Sequence, residues 1–235
     1  MQHLRTSTRT AWPDTTERDA NGVMHIGGVS LRTLAQKLGT PLYVYDEATL
    51  RNRAREIRDI FAAVYPNSRV VYAGKAGMSP ALVSILSEEG LGVDVVSGGE
   101  IYAGQQAGMD PRQMIFHGNN KSRGELEEAL LAGVGLIAVD SQHELDLLEE
   151  VATRLERRPE VVLRLNPGVD PHTHHKMRTG ATDSKFGLPV WDGQAASAAA
   201  RVATSPALRL AGYHAHVGSQ IFDSGLVAHT LTAMM

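Results

Sequence analysis

The sequence contains no cysteine. That absence excludes a disulfide framework, a thiolate metal site and a cysteine nucleophile. Aromatic residues are sparse, at 5% of 235 residues, and neither sign of charge dominates: 23 Lys+Arg against 26 Asp+Glu leave a formal net charge of −3. Without a basic excess, neither nucleic acid nor an anionic membrane is expected as the main partner. Long hydrophobic runs are missing as well. The longest uncharged apolar stretch, residues 129–139, is far shorter than the roughly 18–20 residues a membrane span needs. The opening MQHLRTSTRTAWPDTTERDANG has no apolar core of the kind a secretory signal carries. A soluble, cytoplasmic protein is expected.

What is present is a regular alternation. Residues 1–22 are polar and turn-rich and read as a loose arm. Residues 23–30 read as a short strand segment turning at Gly27–Gly28, followed by a helix from Arg32 to Leu38 that Gly39 stops. LYVYD at 42–46 is strand-like, and residues 47–65 carry apolar side chains at helical spacing. Apolar strand-like runs then recur at RVVYAGK (69–75), GVDVVS (92–97), MIFHG (114–118), LIAVDS (136–141), VVLRLNP (161–167) and LAGYHAHVGS (210–219). Helical patterns separate the first five, at 80–89, 100–107, 123–132 and 142–158, and a long connection at 167–209 precedes the sixth. Short apolar strands alternating with helices predict βαβ units and a parallel sheet covered on both faces. Repetition at this spacing favours a (β/α)8 barrel over an open sheet. The dinucleotide fingerprint fails on context, since Gly90-Leu-Gly92 precedes a strand instead of following one. Six barrel strands are visible, so the chain is expected to be the front portion of a longer protein, since a partial barrel leaves open edges.

In such a barrel, function gathers at the C-terminal ends of the strands. Those positions hold Lys75, Asp94 with Ser97, His117 with Asn119–Asn120, Asp140, Arg164 with Asn166, and His214, His216 and Ser219. Lys75 admits two readings. Desolvated at the barrel mouth, its amine would be a nucleophile for carbonyls; alternatively it caps a strand and pairs with a carboxylate such as Asp94. His214-x-His216 could contribute to a metal site, but no complete ligand set accompanies it, and none is expected. Ser219 after Gly218 suits a phosphate contact or a helix N-cap.

At these residues the sequence resembles the fold-type III, pyridoxal phosphate-dependent decarboxylases, and among them the diaminopimelate decarboxylase family. The blocks that carry the resemblance run in order: PLYVYD (41–46), YAGKA (72–76), GVDVVSGGE (92–100), FHGNNKS (116–122), VDSxxEL (139–145), LRLNPGVDPHTH (163–174), TGATDSKFGL (179–188) and HAHVGSQI (214–221). The resemblance implies a barrel of the alanine racemase/ornithine decarboxylase kind at residues 47–235, incomplete here. Residues 23–46 would then contribute to a second, β domain. It implies pyridoxal 5'-phosphate held by Lys75, with His216 stacked on its ring, Ser219 at the phosphate, and Asp94 and Arg164 near the cofactor. The implied reaction is decarboxylation of meso-2,6-diaminopimelate to L-lysine by a homodimer with shared active sites. The family's glycine-rich phosphate loop after the seventh strand, its Glu-Pro-Gly-Arg segment and its C-terminal β domain are missing from this sequence. This stretch alone is therefore expected to be inactive. Within the matched blocks, Gly77 stands where the family often has Asn. Three rival readings are a sister decarboxylase of D-ornithine, D-lysine or arginine, a non-catalytic pyridoxal phosphate-binding barrel, and a metal-dependent barrel hydrolase.

Overall fold

A computed structural model describes residues 11–169, 185–216, 218 and 224–235. The chain divides into two compact units. One comprises the described residues through Val70 together with Ile85–Leu91; the other comprises Val71–Ser84 and the described residues from Gly92 onward.

In the first unit, β1 (Glu17–Arg18), β2 (Met24–Ile26) and β3 (Val29–Ser30) form an antiparallel sheet. Glu17 lies opposite His25, and His25 opposite Ser30. The loose arm expected for 1–22 is thereby corrected at Glu17–Arg18, whose backbone pairs with β2; residues 1–10 lie outside the described residues. Ser30 caps α1 (Leu31–Leu38) by accepting the Thr33 N–H, and Asp46 caps α2 (Glu47–Val64) through the Thr49 N–H. The strand expected at 42–46 does not form. Residues 42–45 find no pairing strand among the described residues, their side chains are exposed, and Asp46 is committed to the cap. Arg51 and Arg55 both converge on the buried Glu89 carboxylate, at 2.6–2.9 Å, and Arg55 followed by Arg51 holds it down to about 2.

The second unit is built on six parallel strands: β4 (Val71–Ala73), β5 (Gly92–Val95), β6 (Met114–Phe116), β7 (Leu136–Val139), β8 (Glu160–Asn166) and β10 (Arg209–His214), adjacent in that order. A two-residue strand, β9 (Leu188–Pro189), pairs beside the end of β8. Neighbours in sequence are neighbours in the sheet, which is the strand order of a (β/α) barrel. The central strands β5–β8 are apolar without alternation because both faces are covered, while β10 at the sheet edge alternates exposed and half-buried residues. Val93, Val95, Met114, Phe116, Ile137, Val139, Val161 and Leu163 are all fully buried.

Helices follow the strands. α3 (Pro80–Glu88) spans the division between the units in sequence; α4 (Gly98–Gln106), α5 (Arg123–Ala132), α6 (Gln142–Arg154), α7 (Gln194–Thr204) and α8 (Ser224–Met234) belong to the second unit. The long connection at 167–209 contains β9 and α7. Its Ala-rich helix buries Ala195, Ala198 and Val202, a small-residue face that hydrophobic periodicity signals weakly. His172, His174 and His175 lie outside the described residues.

Three strand-to-helix junctions share one device. Ser97, Ser122 and Ser141 cap α4, α5 and α6, each accepting the backbone N–H of a glutamate three residues on: Glu100, Glu125 and Glu144. The glutamates reach back in turn. Glu125 accepts the Ser122 N–H in a full capping box, while Glu100 and Glu144 accept the N–H of the residue before the cap, Val96 and Asp140.

Close backbone approach constrains the opposite end of the sheet. Gly135, just before β7, donates to Pro111 O, and a Cβ there would collide with the Arg112 backbone. Gly135→Ala should therefore lower stability by about 1–3 kcal/mol in urea unfolding. Gly124→Ala, on α5 with open space around it, should be neutral or stabilising by up to about 1 kcal/mol.

Candidate functional site

Parallel strands all end on the same side, so the β4, β5, β6, β8 and β10 termini bring their polar residues to one edge of the second unit. The strand expected at 69–75 is shorter than its apolar run. β4 ends at Ala73, and Gly74–Ala76 form a 3₁₀ turn that carries Lys75 out of the sheet. That turn needs a glycine before the lysine, since a Cβ on Gly74 would lie 2.6 Å from Asp94 O. Asp94 itself sits level with Ala73 in the β4–β5 ladder.

The alternative in which Asp94 pairs with Lys75 is not what forms. The Asp94 carboxylate takes the ring of His117, just past β6, with Nδ1 at 2.6 Å from Oδ1. With the carboxylate as acceptor, Nδ1 is the donor. Nε2 is buried and has no hydrogen-bond partner among the described residues. The centroids of the His117 and His214 rings lie 4.5 Å apart, with the planes tilted 45°, and the buried His214 Nδ1 also lacks a partner among the described residues. Two orphaned ring nitrogens side by side at strand ends are costly to leave unmade, at about 1–3 kcal/mol each.

A bulge places His214 there. Pairing between β10 and β8 shifts between Leu210 and Gly212, after which Tyr213 meets Leu163 and His214 meets Arg164. Burial, then the charges of His117, Arg164 and His216, push His214 down to about 3. His216 is lowered by burial and then by the Lys75 and Arg164 charges. Both rings are thus held neutral at physiological pH.

Arg164, buried at the end of β8, pairs with Asp140 at 2.9 Å, and its guanidinium lies 4.6 Å over the Phe186 ring. Asp140 also accepts the Gly187 N–H at 3.2 Å. Next to it is a residue pair to which the sequence reading gave no role, although its members lie in the FHGNNKS and VDSxxEL blocks. Lys121 Nζ donates to Gly118 O, Ala138 O and Glu144 Oε1 at 2.6–2.7 Å, in nearly complete burial. Burial pulls this lysine below its usual range while Glu144 opposes, and three acceptors require all three hydrogens of an ammonium. The Ser-x-x-Glu cap signature of α6 would have found Glu144. Its distant partner leaves no local signal.

Of the residues singled out in the sequence, Asp94, Arg164 and His216 are therefore drawn into one electrostatic cluster with Lys75, whose charge is felt at His216. Ser219 lies outside the described residues. The cluster fits pyridoxal phosphate, the cofactor implied by the resemblance. It offers a lysine amine on a turn beyond a strand, neutral aromatic rings beside it, and unpartnered polar atoms for a ligand's polar substituents. His214 is the clearest test of this electrostatic arrangement. The unfolded chain takes up its proton near 6.5 and the folded one only near 3, so the stability this group contributes is whole above pH 6.5 and declines as pH falls toward 3. Histidine NMR should find the His214 ring neutral at pH 5; a midpoint near 6.5 would remove this account.

Comparison with known proteins agrees with the geometry. A curated diaminopimelate decarboxylase of Bacillus methanolicus is 45% identical over 210 residues, 89% of this chain and 49% of that protein. Another, from Mycobacterium bovis, is 42% identical and matches the entire chain against 53% of its own length. The chain thus spans about half the length of these curated relatives. Among solved structures, a diaminopimelate decarboxylase of M. jannaschii superposes with a TM-score of 0.84 at 34% identity, over 94% of this chain and 52% of that one. The family model described as "Pyridoxal-dependent decarboxylase, pyridoxal binding domain" matches residues 47–234, and the chain belongs to that family.

Proposed function

We propose that the complete protein is a decarboxylase that converts meso-2,6-diaminopimelate to L-lysine. The observation that carries this reading is the convergence of Lys75, Asp94, Arg164 and His216 at the C-terminal ends of β4, β5, β8 and β10, together with 42–45% identity to diaminopimelate decarboxylases. Bound pyridoxal phosphate supplies an aldehyde that captures amines and a pyridinium that takes up the electron pair released when the Cα–carboxylate bond breaks.

The protein's part is to hold and orient. Lys75 would anchor the cofactor through its amine, and His216, kept neutral, would stack on the ring without placing a second positive charge against it. Arg164 and Asp94 would make polar contacts with the cofactor, Asp94 fixing the His117 ring as it does so. Ser219 would serve the phosphate. Residues 23–46 would belong to a second, β domain, with 47–235 forming the cofactor-binding barrel. The same reading makes the complete protein a cytoplasmic homodimer with shared active sites. The described residues contain no helix long and apolar enough to cross a membrane.

A sister activity is the second reading, because a lysine decarboxylase of Selenomonas ruminantium also superposes, with a TM-score of 0.69 at 26% identity. Carbon dioxide release by the full-length protein should be fastest with diaminopimelate. Preference for lysine, ornithine or arginine would transfer the assignment to that sister class. Borohydride reduction of the cofactor-loaded protein, followed by peptide mapping, should place the label on Lys75; label on another lysine would refute the anchor. His216→Ala should weaken cofactor retention, and unchanged affinity would refute the stacking role.

A further inference from the structure

Arg164 does not hold its own position. Its guanidinium is buried at the end of β8, sandwiched between the Asp140 carboxylate at 2.9 Å and the Phe186 ring at 4.6 Å. Asp140 is fixed at three points: Oδ1 takes Arg164, Oδ2 takes the Gly187 N–H, and its backbone N–H is bound by Glu144 Oε2 at 3.2 Å. Glu144 is itself immobilised by Lys121, whose remaining hydrogens tie Gly118, two residues past β6, to the β7 backbone at Ala138 O. A chain of buried polar contacts thus runs from the β6 and β7 ends to the guanidinium.

We infer that Asp140 is a positioning residue that sets Arg164 for the cofactor, with the Lys121–Glu144 ion pair as its foundation. The inference rests on the pyridoxal phosphate reading of the site and adds a residue to it. Two features argue for positioning over simple stability. A buried ion pair contributes little net stability compared with apolar packing of equal volume, because desolvation offsets the attraction. The contacts also end on the Arg164 side chain, whose charge reaches His214 and His216.

The test is a double-mutant cycle on cofactor affinity in the full-length protein, read by titrating pyridoxal phosphate and following its absorbance, with thermal unfolding measured in parallel. Asp140→Ala should weaken affinity on the order of tenfold. In an Arg164→Ala background it should weaken it no further, because the residue it positions is gone. Should the alanine variant fail to fold, Asp140→Asn preserves the shape and carries the same comparison. Equal losses in both backgrounds, or no loss in either, would overturn the inference while leaving the cofactor assignment intact. Failure of the unaltered protein to bind pyridoxal phosphate overturns that assignment and the inference with it.

Discussion

Parallel pairing is the constraint on which the second unit depends. When six strands run the same way in sequential order, their backbone hydrogen bonds need crossover helices, and every strand must finish on one side. Chemistry placed at strand ends then assembles without any further instruction, although the residues come from positions as distant as 75 and 216. The helices enforce the same geometry locally. Each Ser-x-x-Glu junction satisfies the orphan N–H groups of a helix start and, through Glu100 and Glu144, also pins the last residues leaving the strand.

The electrostatics of the site combine two opposite solutions to burial. The imidazoles of His214 and His216 give up their charge. Lys121 and Glu144 keep theirs by saturating each other and the surrounding carbonyls. The first solution leaves the buried His214 Nδ1 without a hydrogen-bond partner among the described residues, and the second leaves no hydrogen of the ammonium unmet. One set lies at the end of β10 and the other beyond β6 and β7, so they divide the strand ends into a receptive part and a rigid one.

Much of this was legible in the sequence. The six apolar runs, the helices read at 32–38, 47–65, 80–89, 100–107, 123–132 and 142–158, which form with ends shifted by up to four residues, and the polar residues at strand ends follow from periodicity and from the rule that barrels place function there. The misses have physical causes. LYVYD has strand composition but no neighbour to pair with, and composition cannot supply one. The Lys75 turn was hidden because apolar character continues through Tyr72-Ala73 while the hydrogen-bond pattern changes at Gly74. The β10 bulge is equally silent in sequence, yet without it His214 would stand one place out of register with Arg164. Of the two readings left open for Lys75, pairing with Asp94 does not form, since a carboxylate flanked by a lysine and a histidine can satisfy either, and only the strand register decides.

The saturation of Lys121 also bears on chemical selectivity. An aldehyde condenses with an amine that can shed a proton and expose a lone pair. At Lys121 every hydrogen is spoken for and the side chain is 1% exposed, so condensation there would require breaking three short contacts and abandoning Glu144. Lys75, on a solvent-exposed turn at the end of β4, has no such set of contacts among the described residues. Hydrogen-bond occupancy thus commits Lys121 to architecture, and on the reading proposed above the aldehyde falls to Lys75.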